Sequence, residues 1–366
     1  MSSSDVTKEG MRGQRPGREA VTGAADVVGE EQRREHGEGR RKKKGRGEPT
    51  RVPDAEFRSY YGRPVLNQIV WKASDIGGYL FLGGLAGASS VLAAGAELTG
   101  RPELARPLKY TALGAISGST AALIHDLGRP ERFLNMLRVV KPTSPMSVGS
   151  WILMTYGPLA GVAAVTSATG WFPRIGLAAT LGAGAVGPLV ATYTAPLVCD
   201  TAVPSWHDGY RYMPFVFASS AAAAAGGMGL VTAPLAQSGP ARRAAVGGAL
   251  VETAVSSAME RGMGLSGEPY RQGRAGALMR AARTLTLAGA AGAVLGRRSR
   301  VASAVSGAAL LAGSACTRLG VFQAGKQSVA DPKYTVVPQR RRLAEREAER
   351  RGADAAAVPQ ARSAGD

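Results

Sequence analysis

The sequence predicts an all-α polytopic membrane protein with about eight transmembrane helices and disordered basic tails, and three observations carry that expectation. Charged and apolar residues are segregated. The 366-residue chain has a formal net charge of +18 and a mean hydropathy of -0.04, but residues 1–63 and 331–366 are rich in Arg, Lys and Glu, whereas 64–330 is dominated by Gly, Ala, Leu and Val. Within that middle region, apolar blocks recur at approximately 76–98, 107–125, 147–169, 174–199, 212–235, 242–262, 278–297 and 300–322. Runs of about 20 residues rising 1.5 Å each match a hydrocarbon core of roughly 30 Å. Finally, DIGGYLFLGGLAGASSVLAAGA (75–96) and FVFASSAAAAAGGMGLVTAP (215–234) are apolar or small on every side. A helix at the surface of a soluble protein would need a polar outer face.

Each element has its own reason. Block one carries Gly83 and Gly87, and block two Gly114 and Gly118, a four-residue spacing of small residues that lets helices approach closely in lipid. Block two ends in HDLGRPERF (125–133), where Gly128 stops the helix, Pro130 blocks its continuation, and Arg129 and Arg132 can pair with Asp126 or Glu131. Blocks three to five are uninterrupted. The sixth contains Glu252 and the seventh Arg280 and Arg283, so both are less apolar. The flanking tails are too polar to offset the entropy of ordering, although QRRRLAEREAERR near the C-terminus can form a short charged helix without an apolar face. No secretory signal is visible ahead of the first apolar run at Ile76. The expected domains are a basic N-terminal tail (1–63), a transmembrane domain (64–330) and a charged C-terminal tail (331–366).

The distribution of Lys and Arg near the span ends places both tails in the cytoplasm and makes this a multi-pass protein of the cell membrane. The basic tails are expected to face anionic lipid, with no role in nucleic-acid binding. Cys199 and Cys316 are isolated and read as core residues; an iron–sulfur cluster needs about four cysteine ligands. The three histidines, His36, His125 and His207, do not face one another within spans, which excludes bis-histidine haem. No metal site and no catalytic side chain is assigned.

Alternation of span direction brings most of the polar side chains to one face. Trp71, Asp75 and Tyr79 open span one; His125 and Asp126 close span two; Tyr193 and Asp200, seven residues apart on one helical face, close span four; Trp206, His207, Asp208 and Arg211 precede span five. Ionisable groups at membrane depth are costly and face a cavity or a partner. Trp71, Trp171 and Trp206 read instead as interfacial anchors.

Three stretches resemble a known family. DLGRPERFLNMLRVVKPTSPMSVGSW (126–151) is similar to the loop signature of the NrfD/polysulfide-reductase membrane-subunit family, YLFLGGLAGASS (79–90) to its first-span motif, and YTAPLVCDTAVPSWH (193–207) to its fourth-span motif, with Ala195 where glycine is usual. The likeness covers about 64–330 and fades after the fifth span. It implies two four-helix bundles and a membrane anchor that exchanges electrons with a quinone, menaquinone or ubiquinone. It also implies an iron–sulfur subunit and a molybdopterin catalytic subunit as partners. Tyr193 is the position that the resemblance marks for quinone binding, with Asp75 and Tyr79 as looser matches; His125, Asp126 and Asp200 join them by their place in the topology. Two other readings compete: a proton-translocating or transporter-like protein, for which Glu252 within a span is the best support, and a structural anchor without quinone chemistry.

Overall fold

The computed structural model describes residues 65–127 and 131–363 together with Val6, Thr7, Gly10 and Met11. Two compact units are distinguished, one comprising 68–334 and the other 1–67 with 335–366. In the larger unit, eight long helices follow the eight apolar blocks: α1 (Ala73–Leu98), α2 (Pro102–Asp126), α4 (Pro145–Thr169), α5 (Pro173–Thr192), α8 (Met213–Thr232), α9 (Gly239–Gly262), α10 (Gly273–Leu295) and α11 (Arg300–Ala330). Short segments join them: α3 (Arg132–Met136), α6 (Thr194–Cys199), α7 (Pro204–His207) and a 3₁₀ segment, Gly264–Tyr270. Five of the eight long helices start with proline in the first turn, where its missing N–H costs nothing and its fixed φ suits the helix.

Among the described residues, five spans are long and apolar enough to cross a bilayer: α1, α4, α5 running into α6, α8 and α11. The other three owe their lower hydropathy to identifiable charges: Glu103, Arg106 and Lys109 in α2, Arg242, Arg243, Glu252, Glu260 and Arg261 in α9, and Arg274, Arg280 and Arg283 in α10. The packing explains how they are accommodated. α1 packs on α2 and α5, and α4 packs on α5 and α2, closing a ring of four; α8 to α11 repeat the pattern, with α8 on α9 and α11 and α10 on α11 and α9. Contacts of α1 with α8 and α11 join the rings, so the protein is a polytopic helical membrane protein built as two four-helix bundles.

The tightest crossings repeat too. A Cβ on Gly87 of α1 would meet the carbonyl of Gly187 on α5, and the reverse; Gly227 of α8 and Gly307 of α11 stand in the same relation. Backbones this close gain dispersion contacts that lipid cannot supply, which is what drives helix association where there is no hydrophobic effect between spans. Gly83 lies against Ser119 and Gly118 against Leu82, as the small-residue spacing predicts, but Gly114 faces open space and is not a packing position.

Two sequence expectations need correction. Trp206 is no interfacial anchor: it is 1% exposed, stacks on Trp71 at 6.1 Å, tilts against Phe322 at 6.0 Å and donates its indole N–H to the Val321 carbonyl at 2.8 Å. Gly325 leaves the room its ring occupies, whereas Trp171 is 70% exposed and suits the anchor role. Around Trp206, Ser205 donates to the Ser266 carbonyl at 2.9 Å and Tyr270 to the Ser205 carbonyl at 3.0 Å; burial pushes the Tyr270 phenol well above its usual range, so it stays a neutral donor. Second, the segment expected to be a mostly disordered C-terminal tail is helical. Helix α12 runs Lys333–Ser363, held by the strong helix propensity of its Ala, Glu, Leu and Arg and by four-residue ion pairs Arg341–Glu345 and Glu347–Arg351, each at 3.6 Å. In the smaller unit Val6–Thr7 (β1) pairs antiparallel with Gly10–Met11 (β2). The remainder of the N-terminal tail and the Gly128–Pro130 stop lie outside the described residues.

Candidate functional site

The face at which α1 begins and α2 ends is where the expected polar residues meet. Asp75 sits in the first turn of α1 and His125 in the last turn of α2; His125 Nδ1 lies 2.8 Å from Asp75 Oδ2, and Ser74 donates to the other carboxylate oxygen at 3.1 Å. The imidazole is 67% exposed and the carboxylate 15%, so the pair bridges the protein surface and its interior. Next to it, Asp126 accepts the backbone N–H of Lys72 at 3.4 Å, which ties the end of α2 to the entry of α1.

One helical turn deeper on α1 is Tyr79, 3% exposed, whose hydroxyl is hydrogen-bonded to that of Tyr193, 8% exposed. The rings meet edge-on, 6.5 Å between centroids and 78° between planes. Local sequence explains why Tyr193 can reach inward. Pro196 has no N–H to bond the Thr192 carbonyl, so the helix breaks between α5 and α6 and Tyr193 occupies the break. Its ring lies over Gly149 of α4, where a Cβ would fall 2.5 Å from Cε2 and 2.7 Å from Cδ2. Ser119 of α2 donates to the Tyr79 carbonyl at 3.1 Å and holds that turn of α1 from the other side.

Five of the six expected site residues thus share one end of the first bundle: Asp75 with His125, Tyr79 with Tyr193, and Asp126 at the adjoining helix end. Asp200 does not join them. It closes α6 as an exposed residue whose side chain has no partner among the described residues. Neighbouring polar groups are structural: His207 Nδ1 lies 3.2 Å from the Cys199 carbonyl, and Asp208 accepts from Ser266.

Sequence reasoning missed a second polar group further along the same bundle. Tyr156 of α4 is fully buried, donates to the Ala86 carbonyl at 2.6 Å and meets the Ser90 hydroxyl at 2.7 Å. Beyond it a cavity of about 10 Å³ is lined by Ser90, Thr180 and Lys109, and buried Lys109 pairs with Glu97 at 3.0 Å. Lys109 looked like one of several flanking cations of span two; only the fold shows that it turns inward.

The first bundle thus holds a buried pair of phenol hydroxyls and, one helical turn away, a carboxylate–imidazole pair at the helix ends. Residues 65–241 match the family model described as Polysulphide reductase, NrfD. Over that region, 177 of the 366 residues, the chain is similar to the NrfD family, whose members are membrane subunits of quinone-linked oxidoreductase complexes. The match takes in the whole first bundle and α8 and stops at the start of α9. No curated protein matches the chain.

Proposed function

We propose that this protein is the quinone-interacting membrane anchor of an oxidoreductase complex. In this reading it passes electrons between membrane quinone or quinol and an iron–sulfur subunit that serves a molybdopterin-type catalytic subunit. The observation that carries the reading is the buried Tyr79–Tyr193 pair one helical turn from Asp75–His125. In a pair of hydroxyls one donates to the other, which leaves a single O–H free to donate to a third oxygen. A quinone carbonyl is an acceptor of that kind. Phenols remain neutral at pH 7, so holding two of them at membrane depth costs far less than holding a charge.

Reduction of a quinone to a quinol consumes two electrons and two protons. The electrons are assigned to a centre on a partner chain, and the protons to the Asp75–His125 pair, whose imidazole is open to water. The loop and α3 between α2 and α4, including Arg138 and Lys141, form the proposed docking side for the iron–sulfur subunit, because they border the same end of the first bundle. Mild solubilisation and purification of the full-length protein from its native membrane tests this. An iron–sulfur protein that co-purifies and is reduced by added quinol supports the reading. A stable, iron-free preparation under every mild condition tried would leave the structural-anchor alternative in its place.

A further inference from the structure

The second bundle, most of which lies beyond the family match, contains polar atoms that the quinone reading does not use. Glu252, 13 residues into α9, is 5% exposed. Its Oε1 accepts the Thr317 hydroxyl of α11 at 2.6 Å, while Oε2 is buried without a partner. Thr286 of α10, 1% exposed, likewise has a buried hydroxyl without a partner. Both residues line one cavity of about 20 Å³, shared with Thr253, Ser256, Thr317 and Arg283. A buried water needs roughly 10–15 Å³ and two to four polar partners. The cavity meets both requirements, and two orphaned oxygens in one cavity are accounted for by one water between them.

The same cavity leads outward. Arg283, which forms part of its wall, is 43% exposed and pairs with Glu260 at 3.3 Å and with the Ser257 hydroxyl at 3.3 Å. Glu260 lies two residues from the end of α9, and eight residues separate it from Glu252, about 12 Å along the helix axis. The charged groups around Glu252 are few. Arg283 comes from α10 and Arg318 from α11, and α8 carries none. Arg318 is completely buried, donates from Nη2 to the Phe217 carbonyl at 2.7 Å and lies 3.7 Å over the Phe217 ring. It makes no ion pair with Glu252.

We propose that Glu252 is a proton-carrying site in the second bundle: its Oε2 holds a proton and exchanges it, through one cavity water shared with Thr286, with the aqueous face marked by Glu260 and Arg283. The step conserves charge, since the proton leaves a carboxylic acid for water and returns from it, and it needs no other reactant. It stands apart from the quinone reading, so either can fail alone.

Infrared difference spectra of the purified full-length protein in H₂O and D₂O test it through the carbonyl stretch of a protonated carboxyl group. The expected result is one such band that shifts promptly in D₂O, disappears in Glu252→Gln, and persists in Thr286→Val with exchange slowed by up to about tenfold, the worth of one hydrogen bond. If Glu252→Gln fails to fold, the slowed exchange in Thr286→Val makes the assignment. Absence of the band from the wild type would mean that Glu252 carries no proton and would overturn the proposal. A band indifferent to D₂O, or one retained at full intensity in Glu252→Gln, would overturn it as well.

Discussion

Gly149→Ala places a single methyl group against the ring of Tyr193. The new Cβ would lie 2.5 Å from Cε2 and 2.7 Å from Cδ2 of Tyr193. Restoring an ordinary carbon contact of about 3.5 Å requires the ring to move by about 1 Å. That displacement takes the Tyr193 hydroxyl out of reach of Tyr79. Overpacking of this kind costs about 1–3 kcal/mol and the lost hydrogen bond about 0.5–1.5 kcal/mol. Against these, alanine gains about 1 kcal/mol over glycine in helix propensity. The net expectation is a loss of about 0.5–3.5 kcal/mol. Gly157→Ala, on the same helix, supplies the control, because nothing lies within 4 Å of its added Cβ. There the propensity gain stands unopposed, so that variant should be neutral or up to about 1 kcal/mol more stable. Thermal unfolding in detergent, followed by circular dichroism, reads both. Opposite shifts in midpoint support the packing described; equal shifts, or a raised midpoint for Gly149→Ala, refute it.

Other substitutions test separate parts of the account. Trp206→Ala should lose about 3–5 kcal/mol, as for a buried aromatic, while Trp171→Ala should change stability little; the comparison is made by denaturant unfolding. Arg318→Met removes a guanidinium whose Nε and Nη1 find no partner, and stability should hold or rise by about 1–4 kcal/mol; a clear loss would reveal a partner that the structure does not hold. For orientation, in a Cys316→Ser background an impermeant maleimide should label Thr99→Cys, in the exposed turn between α1 and α2, from outside intact cells. It should fail to label Arg271→Cys, between α9 and α10. The reverse pattern would invert the topology.

Much of this fold was legible because lipid imposes a simple rule. A span must be long, apolar and closed in its hydrogen bonds, so eight blocks in the sequence became eight helices. The face that gathers Asp75, Tyr79, His125, Asp126 and Tyr193 followed from counting alternations. What the sequence hid depends on side-chain direction. Tyr193 and Asp200 are seven apart, yet Tyr193 is buried against Tyr79 while Asp200 stands exposed at the end of α6. Trp206 lies between two spans, where a Trp ordinarily marks the interface, but Gly325 opens a seat for it in the core. Lys109, Arg318 and Gly149 gave no local signal, because burial of a cation and clearance for a ring are properties of the neighbouring helices. The C-terminal helix was hidden for another reason: charged composition argues against a core, not against a helix.

Quinone affinity of Tyr193→Phe tests the central claim most directly. The substitution deletes one hydroxyl and keeps the ring seated over Gly149. If the Tyr79–Tyr193 pair presents the free O–H to a quinone carbonyl, the purified variant should bind a quinone analogue up to about tenfold more weakly, the equivalent of about 0.5–1.5 kcal/mol. Tyr156→Phe, which removes an equally buried hydroxyl from the deeper group, should bind it as the wild type does. Unchanged affinity in Tyr193→Phe, or equal losses in both variants, would contradict the assignment of the site.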